Sequence, residues 1–371
     1  MGSVALLALL FFSPQMMRAD TAAQIKDQIN AYTGGGTGSL RALLLSANNV
    51  AVSGTLTGVT TGLPINIDAG VTVSWTATIS TSSTASFSTL ISLSGSGTFE
   101  VTGGAITATG TTAINASTSD VTITVSGGTV SSTSKNGAAI YTAGTNSKVT
   151  VNSGTVSTTV GSAVWDDGAN SLVTVSGSGQ VQATGDGGTA IFSGGNVQVS
   201  GGIVNATKGY AIRSYSSSIA VTVSGGLVFA YGNTIIAFVI YLPNHTSGFT
   251  SATGTGVVIG WNQAAGHTTY TKGSSDDISR SPASATATWD VQGGSSGIAY
   301  ANGTNTGFIP VSGVTVNAAA PPSAPSALPP TPRSTMPWRL YRIIQLPPLC
   351  SCRTLPTTTD APLPIRILFL T

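Results

Sequence analysis

An all-β chain of short, regularly repeated strands is what the sequence predicts, and three observations carry that expectation. First, one phrase keeps returning: FEVTGGAI, VTITVSGGTV, VTVNSGTV, VTVSGSGQV, VQVSGGIV and VTVSGGLV. The valine before its glycine-bearing turn falls at Val101, Val125, Val151, Val175, Val199 and Val223, at spacings of 24, 26, 24, 24 and 24 residues. A fixed period in this range marks a repeat architecture. Second, apolar and polar residues alternate within each phrase, the pattern of a strand with one buried face. Third, only 7% of the residues are charged, against about 25% in an ordinary soluble domain. Thr, Val and Ile suit the pleat, and the 46 glycines, with Asn and Ser, suit the turns.

The repeating unit divides into three strands. In the coil that starts at Val149 they are VTV, then TVSTT after a turn at Asn152–Gly154, then Gly161–Trp165, with a polar turn back to Val173. The third strand forms its own column, GAAIY (137–141), GSAVW (161–165), GTAIF (188–192) and GYAIR (209–213). Strands this short, three per 24 residues, fit a parallel β-helix whose coils pair in register about 4.8 Å apart. The general preference of parallel crossovers makes a right-handed coil the expectation. Residues 48–237 would form roughly eight coils, a rod of ~40 Å.

The N-terminal run VALLALLFF (4–12), followed by Ala19, reads as a secretory signal peptide over residues 1–19, although no Lys or Arg precedes it. The alternative is a first buried helix. The run is too short to span a bilayer. Residues 20–47 are expected to form a helical cap over the open end of the stack. Thr21 and Gln24 fit a capping box, Ile25 and Ile29 share a helical face, and SLRALLL (39–45) reads as a second short helix. After 237 the period stops. IIAFVIYLP (235–243) is the last coil or a seal over it, and residues 238–317 alternate without a 24-residue repeat, as a small C-terminal β module or cap.

The composition breaks near Ala318. Residues 321–371 hold 12 of the 17 prolines and none of the 46 glycines, together with both cysteines, Cys350 and Cys352. Two readings stand for 318–371: a disordered Pro-rich linker or anchor, or translation in another frame. The tail carries a net +4 and residues 1–320 a net −2. A body so close to neutral lacks the electrostatic footprint of a nucleic-acid binder.

Alternation assigns the faces. Ile123 and Val125, Val149 and Val151, Val173 and Val175, Val197 and Val199, and Val221 and Val223 point inward. Thr122, Thr150, Thr174 and Thr222 form an outward ladder, and Asn146 and Asn170 occupy equivalent turns that favour left-handed backbone.

Chemistry is sparse. An enzyme on such a scaffold needs clustered carboxylates, with calcium and a base for a lyase or a pair of acids for a hydrolase. Residues 48–237 offer Asp68, Glu100, Asp120, Asp166, Asp167 and Asp186, with the cations Lys135, Lys148, Lys208 and Arg213. Asp166 and Asp167 are candidates for one calcium ion; the alternative is a solvated turn. No cofactor is otherwise implied, and no catalytic residue is assigned. His245 and His267, near Asp276 and Asp277, lack metal-ligand spacing. Asn115, Asn205, Asn244 and Asn302 begin N-x-S/T triplets, as chance provides in a Ser/Thr-rich chain.

One column stands out. If Ile140, Val164, Ile191 and Ile212 point in, then Asn115, Tyr141, Trp165, Phe192 and Arg213 point out. Tyr141, Trp165, Phe192 and Arg213 then form a ligand-binding strip on which sugar rings stack through their C–H faces. The opposite alternation would make the aromatics core.

The phrase VTVSGGTV…GxAI at this period, over residues 97–237, resembles the β-helical repeats of bacterial surface and adhesin-like proteins. The segment GVVIGWNQAAGHTTYTKGSSDDI…GIAYANGTNTGFIPVSGVTV (256–315) resembles a block that follows such repeats in secreted bacterial proteins. The resemblance implies an extracellular or surface-exposed rod that contacts a polysaccharide or glycoprotein surface, and it brings no catalytic residues. The alternatives are a polysaccharide lyase or glycoside hydrolase, which needs Asp166, Asp167, Asp186 and Arg213 to converge, and a purely structural spacer. No feature sets an oligomeric state.

Overall fold

A computed structural model describes residues 20–319 apart from 83–85, 218, 233–238, 243–251, 263–268, 274–283 and 313. The fold is a β-solenoid of about eight turns with roughly 24-residue spacing, 61% strand and 4% helix. Each coil lays one strand on each of three walls. The coil beginning at Lys148–Val151 continues through Thr155–Thr158 and Ser162–Asp166, then returns to the first wall at Leu172–Val175. The three strands of this coil each pair in parallel with their counterparts one coil away.

The valine phrase builds the interior. Val73, Phe99, Ile123, Val149, Val173 and Val197 stack in one register column, and Trp75, Val101, Val125, Val151, Val175, Val199 and Val223 in the next. The buried members are at most 1% exposed, and Val221 alone among the expected inward valines is only partly buried. Full burial of such a side chain contributes about 1.5–2 kcal/mol, so the stack is stabilised coil by coil.

The outward ladder differs by one position from expectation. Its members are Thr124, Thr150, Thr174, Gln198 and Thr222, whereas Thr122 pairs with Lys148. In a period-2 strand, Thr124 is the residue between the inward Ile123 and Val125. Asn146 and Asn170 take φ of 58° and 55°, and Asp120, the equivalent residue one coil earlier, takes 63°. Asn146 Nδ2 donates to Asp120 Oδ1 at 3.0 Å, which ties successive turns together.

The Gly-Gly of the phrase, preceded by Ser or, at Thr102, by Thr, makes the corner between the first two walls. Where it is present, both walls belong to one bent strand, as in Thr98–Ala108, Thr122–Ser132, Asn196–Thr207 and Val221–Gly232. The second glycine of each pair, Gly104, Gly128, Gly202 and Gly226, has φ between 65° and 69°. A Cβ on Gly104 would lie 2.2 Å from the carbonyl oxygen of Ala77. Left-handed backbone and this close approach together require glycine.

At the N-terminal end, α1 (Ala22–Ala31) has the expected capping box between Thr21 and Gln24, and it buries Ala22, Ile25 and Ile29 completely. The expected second helix is instead a strand, β1 (Thr37–Ser46), which pairs antiparallel with β2 (Asn49–Val59). The run LRALLL satisfies a helical period, but the unpaired edge of β2 offers it a full ladder, and that tertiary pairing overrides local preference. Asn30 fixes α1 to β1 through two hydrogen bonds to Ala42, Nδ2 to O at 3.0 Å and N to Oδ1 at 2.8 Å. Leu43, Leu44 and Leu45 remain 46%, 43% and 64% exposed on this strand.

At the other end the solenoid continues past residue 237. Ile240–Tyr241 extends the third wall and Val257–Asn262 the second. Of the apolar run 235–243, residues 239–242 are described; Val239 and Ile240 join the solenoid core and Leu242 packs against it. The run GVVIGW reads apolar on both faces because both are covered. Val258 faces the solenoid core, and Val257, Ile259 and Trp261 face a second core with Leu227, Phe229, Tyr231, Tyr270, Trp289, Ile298 and Ile309. That second core lies under a three-stranded antiparallel sheet of Thr286–Gln292, Ser295–Asn302 and Asn305–Pro310. Asn302 and Asn305, at the hairpin tip of this module, clamp it to the solenoid. Asn302 Nδ2 donates to Gly256 O at 3.1 Å, and Asn305 Nδ2 to Gly226 O and Thr255 O at 2.8 and 2.7 Å. Residues 1–19 and 320–371, with the expected signal peptide, tail and both cysteines, lie outside the described residues, as do His245, His267, Asp276 and Asp277.

Candidate functional site

The third wall carries the side chains most suited to a ligand. Its strands Thr112–Ala116, Ala138–Thr142, Ser162–Asp166, Thr189–Ser193 and Tyr210–Arg213 match the column expected from the sequence. Ile114, Ile140, Val164, Ile191 and Ile212 are fully buried. One residue later, Asn115, Tyr141, Trp165, Phe192 and Arg213 stand opposite one another on successive coils. Alternation therefore turns them outward, and the aromatics are partly buried while Arg213 is exposed. Four coil spacings make this a strip of ~19 Å.

The strip is not a flat platform. Trp165 meets Tyr141 and Phe192 edge to face, at 5.5 Å with interplanar angles of 87° and 76°. This arrangement places ring edges against the negative faces of their neighbours. Trp165 Nε1 is buried without a hydrogen-bond partner, so the accessible part of the indole is carbon. The strip is also longer and wider than the sequence column. Tyr215 lies 5.2 Å from Phe192, Tyr210 stacks on Tyr241 at 5.4 Å, and the Arg213 guanidinium sits over both Phe192 and Tyr210 at 5.3 and 5.2 Å. Tyr210 and Tyr215 fall outside the aromatic position of the third-wall phrase, so periodicity does not mark them, whereas Tyr241 is the register partner of Arg213 and continues the column beyond the 24-residue period.

Asp166 is not a surface residue. It follows Trp165, so alternation turns it inward, and it is 1% exposed. Its carboxylate accepts from Thr142 Oγ1 at 2.8 Å, Ser193 Oγ at 3.0 Å, the Gly168 amide at 3.3 Å and Ser171 Oγ. Thr142, Asp166 and Ser193 are register partners one coil apart. Both earlier readings of Asp166, calcium ligand and solvated turn, give way to an interior hydrogen-bond hub. Asp167 turns outward and accepts from the Tyr215 hydroxyl. Burial first, and then this hydrogen bond and the Asp167 charge, push the Tyr215 phenol up to about 12. Tyr141 is raised as well, by burial and then by the charge of Asp167. Among the described residues no group of three or more His, Cys, Asp or Glu is placed to hold a metal ion.

Two recesses open along the strip. One, of about 470 Å³, is lined by Lys135, Gly161, Trp165, Asp186, Phe192 and Arg213 among others. The other, of about 310 Å³, is lined by Thr112, Asn115, Asn136, Tyr141 and Trp165 among others. Trp165 is the wall between them. Their shape comes from the turns that lead into the third wall. Between the register-matched strand ends, these turns are residues 109–111, 133–137, 159–161, 184–188 and 207–209, so three- and five-residue turns alternate. The larger recess is a notch over the short turn 159–161, between the long turns that carry Lys135 and Asp186.

Of the four groups that catalysis would bring together, only Asp186 and Arg213 share this notch. Asp166 is interior, Asp167 is engaged by Tyr215, and Asp186 pairs with Lys208 at 3.2 Å. A separate recess of about 360 Å³ between the C-terminal hairpin and the second wall is lined by Gly177, Gly201, Gly226, Tyr300 and Asn305 among others, with no charged side chain. Of the N-x-S/T triplets, Asn302 is 5% exposed and bonded to backbone carbonyls, so it is no acceptor for a glycan. Among the described residues no helix is long and apolar enough to cross a membrane. No protein-family profile, curated protein or solved structure matches this chain.

Proposed function

We propose that this chain binds saccharide along the third wall, on an adhesin-like solenoid displayed outside the cell and presented to polysaccharide or glycoprotein surfaces. The observation that carries the reading is the in-register outward column of Tyr141, Trp165 and Phe192, extended by Tyr215 and bordered by two recesses. Aromatic rings with accessible carbon receive the C–H faces of sugars, and the polar rims of Ser, Thr and Asn side chains supply hydrogen bonds to hydroxyls. A rod carrying such a strip contacts an extended glycan over several residues at once. The scarcity of ionisable groups in the walls suits binding over acid–base catalysis.

Binding of the purified chain to a glycan array, with Trp165→Ala alongside, tests the reading. The wild-type chain is expected to retain a subset of glycans, and the variant to lose them by about tenfold or more. Circular dichroism should show an unchanged fold, because Trp165 faces outward. No retained glycan, or equal retention by the variant, would sink the proposal and leave the rod as a spacer. Antibody labelling of intact cells tests the location: signal without permeabilisation is the expected result.

A further inference from the structure

The larger recess carries more chemistry than ring stacking requires. It holds two cations, Lys135 on the long turn 133–137 and Arg213 at the end of the strip. Among the described residues neither makes an ion pair, for the ion pairs there are Lys26–Asp27, Lys208–Asp186 and Lys272–Asp290. The one carboxylate on the rim, Asp186, is already neutralised by Lys208. The notch therefore presents a net positive charge beside accessible aromatic carbon, on a body that is otherwise close to neutral. Arg213 is held between Phe192 and Tyr210, which fixes its guanidinium while leaving its in-plane N–H groups for a bidentate acceptor.

We propose that the ligand of this notch is an anionic polysaccharide, one whose sugar ring packs on Trp165 and Phe192 while its carboxylate or sulfate lies between Lys135 and Arg213. The inference rests on the saccharide reading and adds the charge of the sugar to it. The second recess, on the other side of Trp165, contains Asn115, Asn136 and Thr112 and no charged lining residue. A chain crossing both recesses would thus place an acidic sugar in one and a neutral sugar in the other. Such a ligand alternates in charge along its length.

The test is calorimetric titration of the full chain with four probes: oligogalacturonate, its methyl ester, a sulfated galactan oligosaccharide and its desulfated form. At low salt at least one acidic probe is expected to bind about tenfold more tightly than its neutral counterpart, the effect of two partly exposed ion pairs. The preference should shrink as salt rises. Arg213→Gln and Lys135→Gln should each lower the acidic-to-neutral affinity ratio, from about tenfold to about threefold, and Trp165→Ala should weaken acidic and neutral probes alike. Equal binding of acidic and neutral forms would overturn this inference and leave the saccharide reading standing. Binding of no probe, together with an empty glycan array, would remove both. Single-stranded DNA of the same charge binding as tightly as the acidic glycans would also overturn it, because stacking and cations alone would then explain the site.

Discussion

Removing the Asp166 carboxylate would strand donors in the solenoid interior, but not all of them equally. Ser171 and Ser193 each have a second acceptor, Gly168 O at 2.7 Å and Gly195 O at 3.0 Å. The Thr142 hydroxyl and the Gly168 amide have only Asp166. Asp166→Ala is therefore expected to destabilise the fold by about 2–3 kcal/mol, the cost of two unmet buried donors plus a small void. Asp166→Asn, which keeps an acceptor oxygen, should cost less. Urea denaturation of the two variants measures the difference, and equal midpoints would contradict the hub. Alternation placed the inward valines and the outward aromatics correctly from the sequence. The same rule turns Asp166 inward, directly after Trp165, but an acidic residue defaults to the surface, and the sequence reading left it to a calcium ion or a solvated turn. Only the register, which sets Thr142 and Ser193 against it, shows what satisfies it.

The corners and the C-terminal sheet show how neighbouring elements constrain each other. At Gly226, where φ is 67°, an added Cβ would lie 2.5 Å from the Gly201 carbonyl carbon. Gly226→Ala is expected to destabilise by about 2 kcal/mol or more, from left-handed strain plus backbone collision, and thermal melting reads it. The outward positions of the second wall explain why the periodic signal fades. Thr155, Gln180, Ile203, Leu227 and Val257 form one column, and Ser157, Gln182, Asn205, Phe229 and Ile259 the next. Each passes from polar to apolar as it runs under the antiparallel module. Asn305→Ala should loosen that cover, with faster proteolysis of 284–310 at unchanged solenoid circular dichroism. The module was visible in the sequence as alternation without a period. Its docking was not, because covered strands such as GVVIGW lose the contrast between faces on which strand reading depends. β1 was misread for a related reason: six residues can satisfy a helical and a strand period at once, and only the antiparallel partner β2 decides.

For the molecule as a whole, alkaline pH is the informative variable. Burial raises Tyr32, Tyr215 and Tyr231 to about 12 in the folded chain, against 10.0 for a free phenol. Between these values the unfolded chain has released protons that the folded chain still holds. Unfolding is then favoured as pH rises. Stability should fall steadily from about pH 10 to 12, as measured by urea midpoints. A flat profile across that window would show that the phenols titrate freely. Coil count is a second global handle. An in-frame deletion of residues 149–172 joins Lys148 to Val173 and preserves the register of the inward columns. The shortened chain is expected to fold with β-rich circular dichroism, yet to lose saccharide binding, since Trp165 and the short turn 159–161 leave together.

The alternation of three- and five-residue turns sets the grain at which such a rod can change its length. Tandem duplication of a single coil would set two long turns or two short turns side by side and break the alternation. Duplication of a coil pair, such as Val125 to Val175 (50 residues) or Val151 to Val199 (48 residues), copies notch and ridge together. The unit of inheritance that conserves this surface relief is thus twice the unit of folding. Longer chains built on this plan should grow in steps of about 48–50 residues, adding one notch at each step.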